Sequence, residues 1–314
     1  MSRIIATGAY LPEKSVTNTE LIEANQLDSS TEWIEQRTGI KERRFANDNE
    51  TVASIATNAA SNLLSKLDDD IRNEIKLIIV ATMSQKEYTP STANKVQLNL
   101  NCENALSFDI NAACSGFVYA LDIAEKMSKS YPSGYTLVIG AEKMSQILDF
   151  SDRGTSILFG DGAGAVLITN DGKGLPDYDS NLYSRGDEAL SIAVEPNDQN
   201  EVYLTMKGRE VFNFVQRTVL PSLETFVQKQ DNVDYIISHQ ANYRFIKMMS
   251  KKLKMDLSKV PSNIERVGNV SAGSIPILLN QLVETNQLKL DGTQSVIMTG
   301  FGAGLTWGEI HTKL

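Results

Sequence analysis

The chain is poor in the features that mark several specialised classes of protein. Its 314 residues include only two cysteines, Cys102 and Cys114, and only two histidines. So few cysteines exclude a fold built on disulfides and favour a reducing, cytoplasmic location. No apolar run approaches the ~20 residues of a membrane-spanning helix. The N-terminus, MSRIIATGAYLPE, lacks the charged start, apolar middle and cleavage site of a signal peptide.

Positive charge is also scarce. Thirty lysines and arginines stand against 39 acidic residues, which gives a net charge of −9 and a pI near 4.9. This balance argues against a general affinity for nucleic acid or for an anionic membrane. A hydrophobic content of 41% and a charged content of 22% are typical of a globular protein. The length allows one large domain or two ordinary ones, with a substantial core.

The order of strand and helix patterns occurs twice along the chain. Residues 171–179, rich in glycine and proline, form the best boundary. Beyond it, the predicted elements repeat the order of earlier ones. A helix at 208–228 matches one that starts at residue 52, and a strand at 235–238 matches one at 77–82. Helices at 243–253 and 273–283 match those at 95–100 and after Cys114, and a strand at 296–299 matches one at 137–140. We therefore predict an α/β protein of two duplicated βαβαβ halves, residues 1–172 and 173–314, with mainly parallel sheets between helices.

Cys114 lies where an apolar strand at 105–110 gives way to an amphipathic helix, among small residues that leave room for a substrate. The positive end of a helix stabilises an anion, so this thiol is predicted to ionise more readily than an ordinary one. The alternative is a buried structural cysteine, which is among the most often buried residue types. The local sequence does not decide between the two.

His239 and Asn269 are the other candidates for chemistry. His239 directly follows the predicted strand at 235–238, within a polar cluster, whereas a structural histidine is the alternative. Asn269, in GNVSAG, either forms a turn and helix cap or offers its carboxamide to a substrate oxygen. If the halves pack about a local two-fold axis, both residues converge with Cys114 at the carboxyl ends of strands. His311, near the C-terminus, is predicted to be a surface residue.

Two further patterns were considered as binding sites. The glycine-rich run FGDGAGA from Phe159 lies between strand-like segments and lacks the features of a nucleotide-binding turn, so close backbone packing is the better explanation. The basic cluster from Arg244 to Lys254 is either a solvated helix face or a docking site for an acidic partner. No set of cysteine and histidine residues has the spacing of a metal site.

Five motifs occur in register along essentially the whole chain: AACSGF at Cys114, FGDGAGA at Phe159, SHQAN at His239, GNVSAG at Asn269 and FGAGLTWG at Phe301. With these motifs the sequence resembles β-ketoacyl-[acyl carrier protein] synthase III of the thiolase superfamily. This resemblance implies a five-layered α-β-α-β-α fold, a cytoplasmic homodimer and no redox or metal cofactor, with acyl-CoA as a substrate.

The resemblance also implies individual roles. Cys114 would be the acyl-accepting nucleophile, and His239 and Asn269 would hold the malonyl carbonyl during decarboxylation. The backbone N–H groups of Cys114 and Ala303 would form the oxyanion hole, although the family usually has glycine at the latter position. The residues implied in binding CoA are Trp33, Arg37, Arg153, Gly208 and Arg209, and those implied in docking the acyl carrier protein are Arg244, Lys251 and Lys252.

Two departures from the family pattern bear on specificity. Arg209 stands where asparagine is frequent and is expected to alter the path of the pantetheine arm. Thr89 stands where many members place a bulky aromatic residue that narrows the acyl pocket of the partner subunit. A smaller side chain there leaves space for a longer or branched acyl group.

The expected activity is decarboxylative Claisen condensation of an acyl-CoA primer with malonyl-[acyl carrier protein], through an acyl-Cys114 intermediate, at the start of fatty acid biosynthesis. A secondary-metabolism relative that uses a longer acyl or 3-oxoacyl substrate is the nearest alternative. A Cys-His-Asn thioester hydrolase would release product to water without any need for malonyl groups. A non-catalytic acyl-carrier-binding protein is the remaining alternative.

Overall fold

The computed structural model describes residues 3–68, 70–196 and 201–314. The strands are β1 (Ile4–Tyr10), β2 (Lys14–Thr17), β3 (Glu42–Phe45), β4 (Ile75–Ala81), β5 (Leu106–Ile110), β6 (Tyr135–Glu142), β7 (Gly162–Thr169), β8 (Asp179–Ser184), β9 (Ile192–Pro196), β10 (Val202–Met206), β11 (Tyr235–Ser238), β12 (Ser295–Gly302) and β13 (Thr306–Lys313). The helices are α1 (Asn18–Asn25), α2 (Thr31–Thr38), α3 (Val52–Leu64), α4 (Ile71–Glu74), α5 (Thr92–Leu100), α6 (Gly116–Ser128), α7 (Gly208–Phe214), α8 (Leu220–Val227), α9 (Tyr243–Leu253), α10 (Ile264–Val267) and α11 (Ser274–Glu284).

The two main sheets share one topology. The first has the strand order β1-β7-β6-β4-β5 and the second has the order β8-β13-β12-β11. In both, the first two pairings are antiparallel and the next is parallel. Among the described residues, β5 has no counterpart in the second sheet. The predicted duplication is therefore present in the fold. Each strand of the second sheet runs in the same direction, relative to its neighbours, as the equivalent strand of the first.

The prediction of mainly parallel sheets was wrong, because both sheets are mixed. β12 and β13 are joined by residues 303–305 alone, and so short a connection permits only an antiparallel pair. The segment before the glycine-rich run, which the sequence pattern predicted to be strand-like, is not part of a strand, and β7 begins at Gly162. Residues 157–158 lie in a turn, and Phe159 forms only an isolated bridge with Asn269.

The layers follow from which faces the side chains bury. One core contains Phe117 of α6 and Leu278 of α11 with residues of both sheets, so these two helices lie between the sheets. A second core packs α3 and α5 on the outer face of the first sheet. A third packs α7, α8 and α9 on the outer face of the second. The order is thus α-β-α-β-α, and the predicted five-layered fold is confirmed.

Local sequence accounts for the central elements. All but one of the β4 side chains in IKLIIVA are buried, as a strand covered on both faces requires. Helix α3 begins with a capping box between Thr51 and Ser54. In β7, a Cβ atom on Gly164 would lie 2.4 Å from the backbone nitrogen of Ile277, so the glycine-rich run serves close packing as predicted. Within the described ranges, the helices are all too short or too polar to cross a bilayer.

Candidate active site

Two matching turns lie at the seam between the halves. Residues Ala113–Ser115 form a short 3-10 turn before α6, and Ser271–Gly273 form another before α11. Ala113 and Ser271 have φ values of 46° and 44°, a left-handed conformation that is uncommon outside glycine. Each turn is closed by an asparagine two residues earlier, whose side-chain oxygen accepts a hydrogen bond from the strained residue's N–H. Cys114 lies in the first turn, and Asn269 is the asparagine of the second.

A cavity of about 300 Å³ brings the three predicted residues together. Cys114, His239 and Asn269 all line it. Most of the remaining wall is apolar and includes Met83, Leu204, Met206, Val211, Phe245 and Phe301. Although the thiol is largely buried, it lies on a cavity wall, as a reacting cysteine requires and a sealed structural cysteine does not.

The resting Cys114 thiol does not ionise readily, so the prediction of an acidic thiol was wrong. Burial raises its pKa to about 12, and the nearby Glu142 carboxyl raises the pKa further. A contact with the Ser271 side chain lowers the pKa only in part. The sequence pattern identified the helix start beyond Cys114 but could not show how completely the sulfur is removed from water.

His239 is neutral in this setting. Burial lowers its pKa to about 3, against a smaller opposing effect of the nearby Ser271 backbone. The ring packs edge-on against Phe301 at a centroid distance of 5.3 Å. The backbone N–H of His239 donates to the Thr299 carbonyl of β12 at 2.8 Å, which fixes the residue at the end of the sheet. A neutral imidazole so held can donate a hydrogen bond to a substrate oxygen without carrying charge.

The carboxamide of Asn269 has a defined orientation. Its Oδ1 accepts from the Ser271 N–H at 2.8 Å, while its backbone N–H donates to the Leu158 carbonyl at 2.9 Å. With the oxygen occupied, the side-chain NH₂ is the group that remains for a ligand in the cavity. The two interpretations of GNVSAG are therefore combined in one residue, because the asparagine makes the turn and also lines the cavity.

The turn after β12 lies directly against Cys114. A Cβ atom on Gly302 would be 2.9 Å from both the Cβ and the backbone nitrogen of Cys114, so the backbone of this turn is as near the cysteine as packing allows. Ala303 follows, and its carbonyl accepts from the Thr306 hydroxyl at 2.9 Å. The place of Ala303 beside Cys114 fits the predicted oxyanion hole, which stays a prediction.

The residues expected to bind CoA fall into two groups. The guanidinium carbons of Arg37 and Arg153 lie 5.6 and 5.2 Å from the centroid of the half-exposed Trp33 ring. The backbone oxygen of Arg37 accepts a hydrogen bond at 3.1 Å from Asn242, which lines the cavity. Gly208 also lines the cavity, whereas its neighbour Arg209 does not.

The basic residues of α9 differ in their surroundings. Arg244 lines the cavity, and Lys251 is exposed two turns further along the same helix face. Lys252 instead forms an ion pair of 2.7 Å with Glu224 on α8. Lys247, which the sequence analysis placed in the cluster, lies on the face of Arg244 with its ammonium 4.7 Å from the Tyr243 ring centroid. The face suited to an acidic partner is thus formed by Arg244, Lys247 and Lys251, which we call the basic face.

Two predicted residues lie away from the cavity. Thr89 is on an exposed loop next to Tyr88 and does not line this chain's cavity. His311 was predicted to be on the surface, and this was wrong. It is buried, with its ring nitrogens 2.8 Å from the Ser295 hydroxyl and 2.9 Å from the Asp177 carbonyl, and burial lowers its pKa. His311 lies near the end of β13, which pairs with β12 on one side and β8 on the other, and this position buries it.

Glu142, which was not predicted from the sequence, is a fully buried carboxyl at the end of β6. It accepts hydrogen bonds from Thr82, Met83 and Ser84, and burial raises its pKa to about 7. A charged residue closing an otherwise apolar strand was the available signal. Within the described part of the chain, no three side chains of His, Cys, Asp or Glu are grouped so as to hold a metal ion.

Comparison with known proteins agrees with this geometry. Family models for 3-oxoacyl-[acyl-carrier-protein] synthase III match residues 108–186 and, for the C-terminal part, residues 224–314. The β-ketoacyl-[acyl-carrier-protein] synthases III of Streptococcus gordonii and Streptococcus mutans are each 41% identical to this chain, with 98% of both chains covered in the first and 100% and 99% in the second.

Solved structures show the same likeness. The 3-oxoacyl-[acyl-carrier-protein] synthase III of Aquifex aeolicus is 40% identical, with a TM-score of 0.88 and complete coverage of both chains. The priming β-ketosynthase of the R1128 polyketide biosynthetic pathway is 31% identical, with a TM-score of 0.91 over 100% of this chain and 96% of that one.

Proposed function

Because the chain belongs to the 3-oxoacyl-[acyl-carrier-protein] synthase III family, we propose that it condenses an acyl-CoA primer with malonyl-[acyl carrier protein] to start fatty acid synthesis. The observation that carries the proposal is the shared cavity of Cys114, His239 and Asn269. Each of the three comes from a different connection: Cys114 lies between β5 and α6, His239 between β11 and α9, and Asn269 between α10 and α11. If these three residues served only the stability of the fold, nothing would require a thiol, an imidazole and a carboxamide to line one apolar cavity.

In the first half of the reaction, the sulfur of Cys114 attacks the thioester carbonyl of the primer. The new S–C bond forms as the bond to the CoA sulfur breaks, so one thioester replaces another and the acyl group is retained on the enzyme. The backbone N–H groups of Cys114 and Ala303 stabilise the transient oxyanion. The apolar wall around Phe301 and Met206 excludes the water that would hydrolyse the acyl-enzyme.

In the second half, the malonyl thioester loses CO₂ and becomes an enolate. His239, neutral because it is buried, and the NH₂ group of Asn269 donate hydrogen bonds to the enolate oxygen. One such donor contributes roughly 3 kcal/mol to stabilising developing negative charge. The carbanion then attacks the acyl-Cys114 carbonyl, and the sulfur leaves with the bonding electron pair to give a 3-oxoacyl product.

The surface around the cavity supports two substrate contacts. Trp33 with Arg37 and Arg153 offers an aromatic face and two cations to the adenine and phosphates of CoA, while Gly208 leaves space for the pantetheine arm and Arg209 lies beside it. The basic face, extended by Lys252, suits the acidic carrier protein. The CoA contacts lie beyond the cavity wall at Asn242, so the thioester can reach Cys114 from there.

A cytoplasmic homodimer with no resident metal or redox cofactor completes the proposal. The outer edge of β5 is unpaired among the described residues, and Leu106 and Leu98 beside it are large exposed apolar side chains. An edge of this kind pairs with another strand readily. A second copy placed there would bring the exposed loop of Thr89 towards the neighbouring acyl pocket. We also assign the nucleophile to an N-terminal half, residues 1–172, and His239 with Asn269 to a C-terminal half, residues 173–314.

Intact-mass measurement after incubation with acetyl-CoA to octanoyl-CoA tests the proposal. The wild-type chain should gain one acyl mass, and malonyl-[acyl carrier protein] should remove it as a 3-oxoacyl product. Asn269→Ala should still acquire the acyl group but should fail to transfer it to the malonyl-derived carbon. Release of free acid from the wild-type chain without malonyl carrier protein would instead identify a hydrolase.

The same panel tests primer length. Because Thr89 is smaller than the aromatic residue common in the family, we expect efficient acylation by chains longer than acetyl. Thr89→Phe should reduce the rates for octanoyl-CoA more than those for acetyl-CoA. A strong acetyl preference in the wild-type chain would contradict the role given to Thr89.

A further inference from the structure

Arg43 of β3 carries a guanidinium that is completely enclosed by the protein. Its Nη2 donates to the Ile157 carbonyl and to Oδ1 of Asn18, both at 2.8 Å. Its Nη1 donates to the Val16 carbonyl at 3.2 Å. These acceptors are neutral oxygens, which recover less of the cost of removing a cation from water than a carboxylate would. A charge buried at such a cost is a reason to ask what the residue holds in place.

The first atoms of the Arg43 side chain pack against two glycines. A Cβ atom on Gly160 would lie 3.2 Å from the Arg43 Cβ, and one on Gly268 would lie 3.1 Å from the same atom. Both distances are tighter than ordinary van der Waals contact, so β3 approaches these two segments as closely as their backbones allow. Because Gly268 is the residue directly before Asn269, Arg43 supports the chain where the carboxamide begins.

Residues 157–160 connect the guanidinium to Asn269. The Ile157 carbonyl accepts from Arg43, and the next carbonyl, that of Leu158, accepts from the Asn269 N–H at 2.9 Å. The Gly160 N–H in turn donates to the Asn269 carbonyl at 3.0 Å. Asn269 thus makes both of these backbone hydrogen bonds with a segment that is neither a helix nor part of a sheet. A segment of this kind depends on side chains for its position.

The two ends of this segment are held differently. At the far end, the Asp161 N–H donates to the Arg44 carbonyl at 2.8 Å, and the Asp161 carboxylate accepts from the Ala46 N–H at 2.8 Å. At the near end, the Ile157 carbonyl is held by the Arg43 side chain. Removal of the guanidinium would therefore release the near end and leave the far end attached to the backbone around β3.

We propose that Arg43 is a positioning residue for Asn269, which acts by fixing residues 157–160 and through them the carboxamide. The inference rests on the proposed function, in which Asn269 donates to the enolate oxygen. Arg43 is not among the residues that line the cavity, so it acts only through this segment. Since Asn269 serves the malonyl half of the reaction and not the acylation of Cys114, Arg43 should matter to that half alone.

The test compares Arg43→Met with Arg44→Met, because methionine keeps an apolar stem and removes the donors. Arg44 follows on the same strand, and its Nη1 also donates to carbonyls, those of Pro12 and Glu13 at 3.3 and 3.2 Å, which lie before β2. Two single-turnover rates are measured by intact mass. The first is acylation by acyl-CoA, and the second is discharge of the acyl-enzyme by saturating malonyl-[acyl carrier protein].

We expect Arg43→Met to slow discharge on the order of 10²-fold, the usual effect of misplacing an active-site group by about 1 Å, and to leave acylation within about twofold. Arg43→Lys keeps the charge but replaces the planar fork by a single ammonium, so its discharge rate should fall between those of Arg43→Met and wild type. Arg44→Met should leave the ratio of the two rates unchanged. A residue that served only stability would lower both rates together.

Hydrogen exchange of the full chain gives a second measurement that needs no substrate. The N–H groups of Gly160 and Asn269 both lie in hydrogen bonds between the two segments. Exchange in peptides that cover residues 157–160 and 267–270 should therefore be faster in Arg43→Met, because the segments separate more often. It should stay at the wild-type rate in Arg44→Met.

A folded Arg43→Met chain in which acylation and discharge change by the same factor, or in which exchange is unchanged, would overturn the proposal. If Arg43→Met does not fold, Arg43→Lys takes its place and the same ratio of rates decides. A wild-type chain that is acylated but is not discharged by malonyl-[acyl carrier protein] would instead refute the proposed function. The exchange of residues 157–160 and 267–270 would then still decide whether Arg43 positions Asn269.

Discussion

The two turns at the seam are built alike and used differently. Asn111 and Asn269 close them by the same hydrogen bond, and Ala113 and Ser271 adopt the same left-handed backbone. At the next position the first turn has Cys114 and the second has Ala272. The duplicated framework therefore supplies the geometry twice, while a cysteine sulfur is placed on only one copy.

Each turn is supported by the sheet of the other half. A Cβ atom on Gly140 of the first sheet would lie 2.2 Å from the Ala272 carbonyl, and one on Gly300 of the second would lie 3.1 Å from the Ser115 Cα. These glycines are equivalent, since Gly140 pairs with Gly164 and Gly300 with Gly308. Each turn therefore depends on the sheet of the opposite half for its position.

The largest expected effect comes from making the first turn like the second. Cys114→Ala should abolish acyl-enzyme formation while the chain stays folded, because alanine already fits the equivalent position at 272. The reciprocal Ala272→Cys should not restore acylation, since Ala272 is buried against Gly140 and does not line the cavity. Intact mass after incubation with acyl-CoA measures both. An acylated Cys114→Ala chain would contradict the assignment of the nucleophile.

Adding one methyl group to each supporting glycine tests the mutual support. Gly140→Ala forces a methyl carbon onto a carbonyl oxygen of the backbone and should lower the free energy of unfolding by about 3 kcal/mol or more. Gly300→Ala meets its neighbours at 3.1 to 3.4 Å and should cost about 1 kcal/mol. Urea denaturation of both variants measures the difference. Equal losses would show that the two turns are not supported as unequally as the distances indicate.

A smaller effect separates two of the buried carboxyls, Glu142 and Glu309. Glu142 has several donors, whereas both oxygens of Glu309 on β13 lack a hydrogen bond and burial raises its pKa to about 7 from 4.5. The folded state then holds a proton that the unfolded chain releases, so stability present below pH 4.5 is lost as the pH rises through 7. Glu309→Gln should stabilise the chain at pH 8 by about 2–3 kcal/mol.

The comparison for Glu309→Gln is the unfolding free energy at pH 5 and at pH 8. The gain should be larger at pH 8, because the wild-type carboxyl is neutral at pH 5 while folded. Equal gains at both pH values would mean that the carboxyl is solvated in a way that keeps its pKa ordinary.

Short-range patterns predicted the duplicated halves and the convergence of the three cavity residues, whereas the five layers were implied by the family resemblance. The strand at 77–82, the helix after Cys114 and the repeat of their order were sufficient for the duplication, since they depend on hydrophobic period alone. The acidity of Cys114 and the place of His311 were not predictable, because both depend on burial by distant strands. Glu142 and its hydrogen-bond donor Thr82 meet across 60 positions of sequence, and no local pattern reports such a contact.

The glycine contacts at the seam also limit how the chain can be divided. Because each turn packs against a strand of the other half, a fragment ending near residue 172 would contain the Cys114 sulfur without the strand that supports its turn. Two fragments expressed separately would have to find each other before either turn acquired its native geometry, so the two halves make up one indivisible unit.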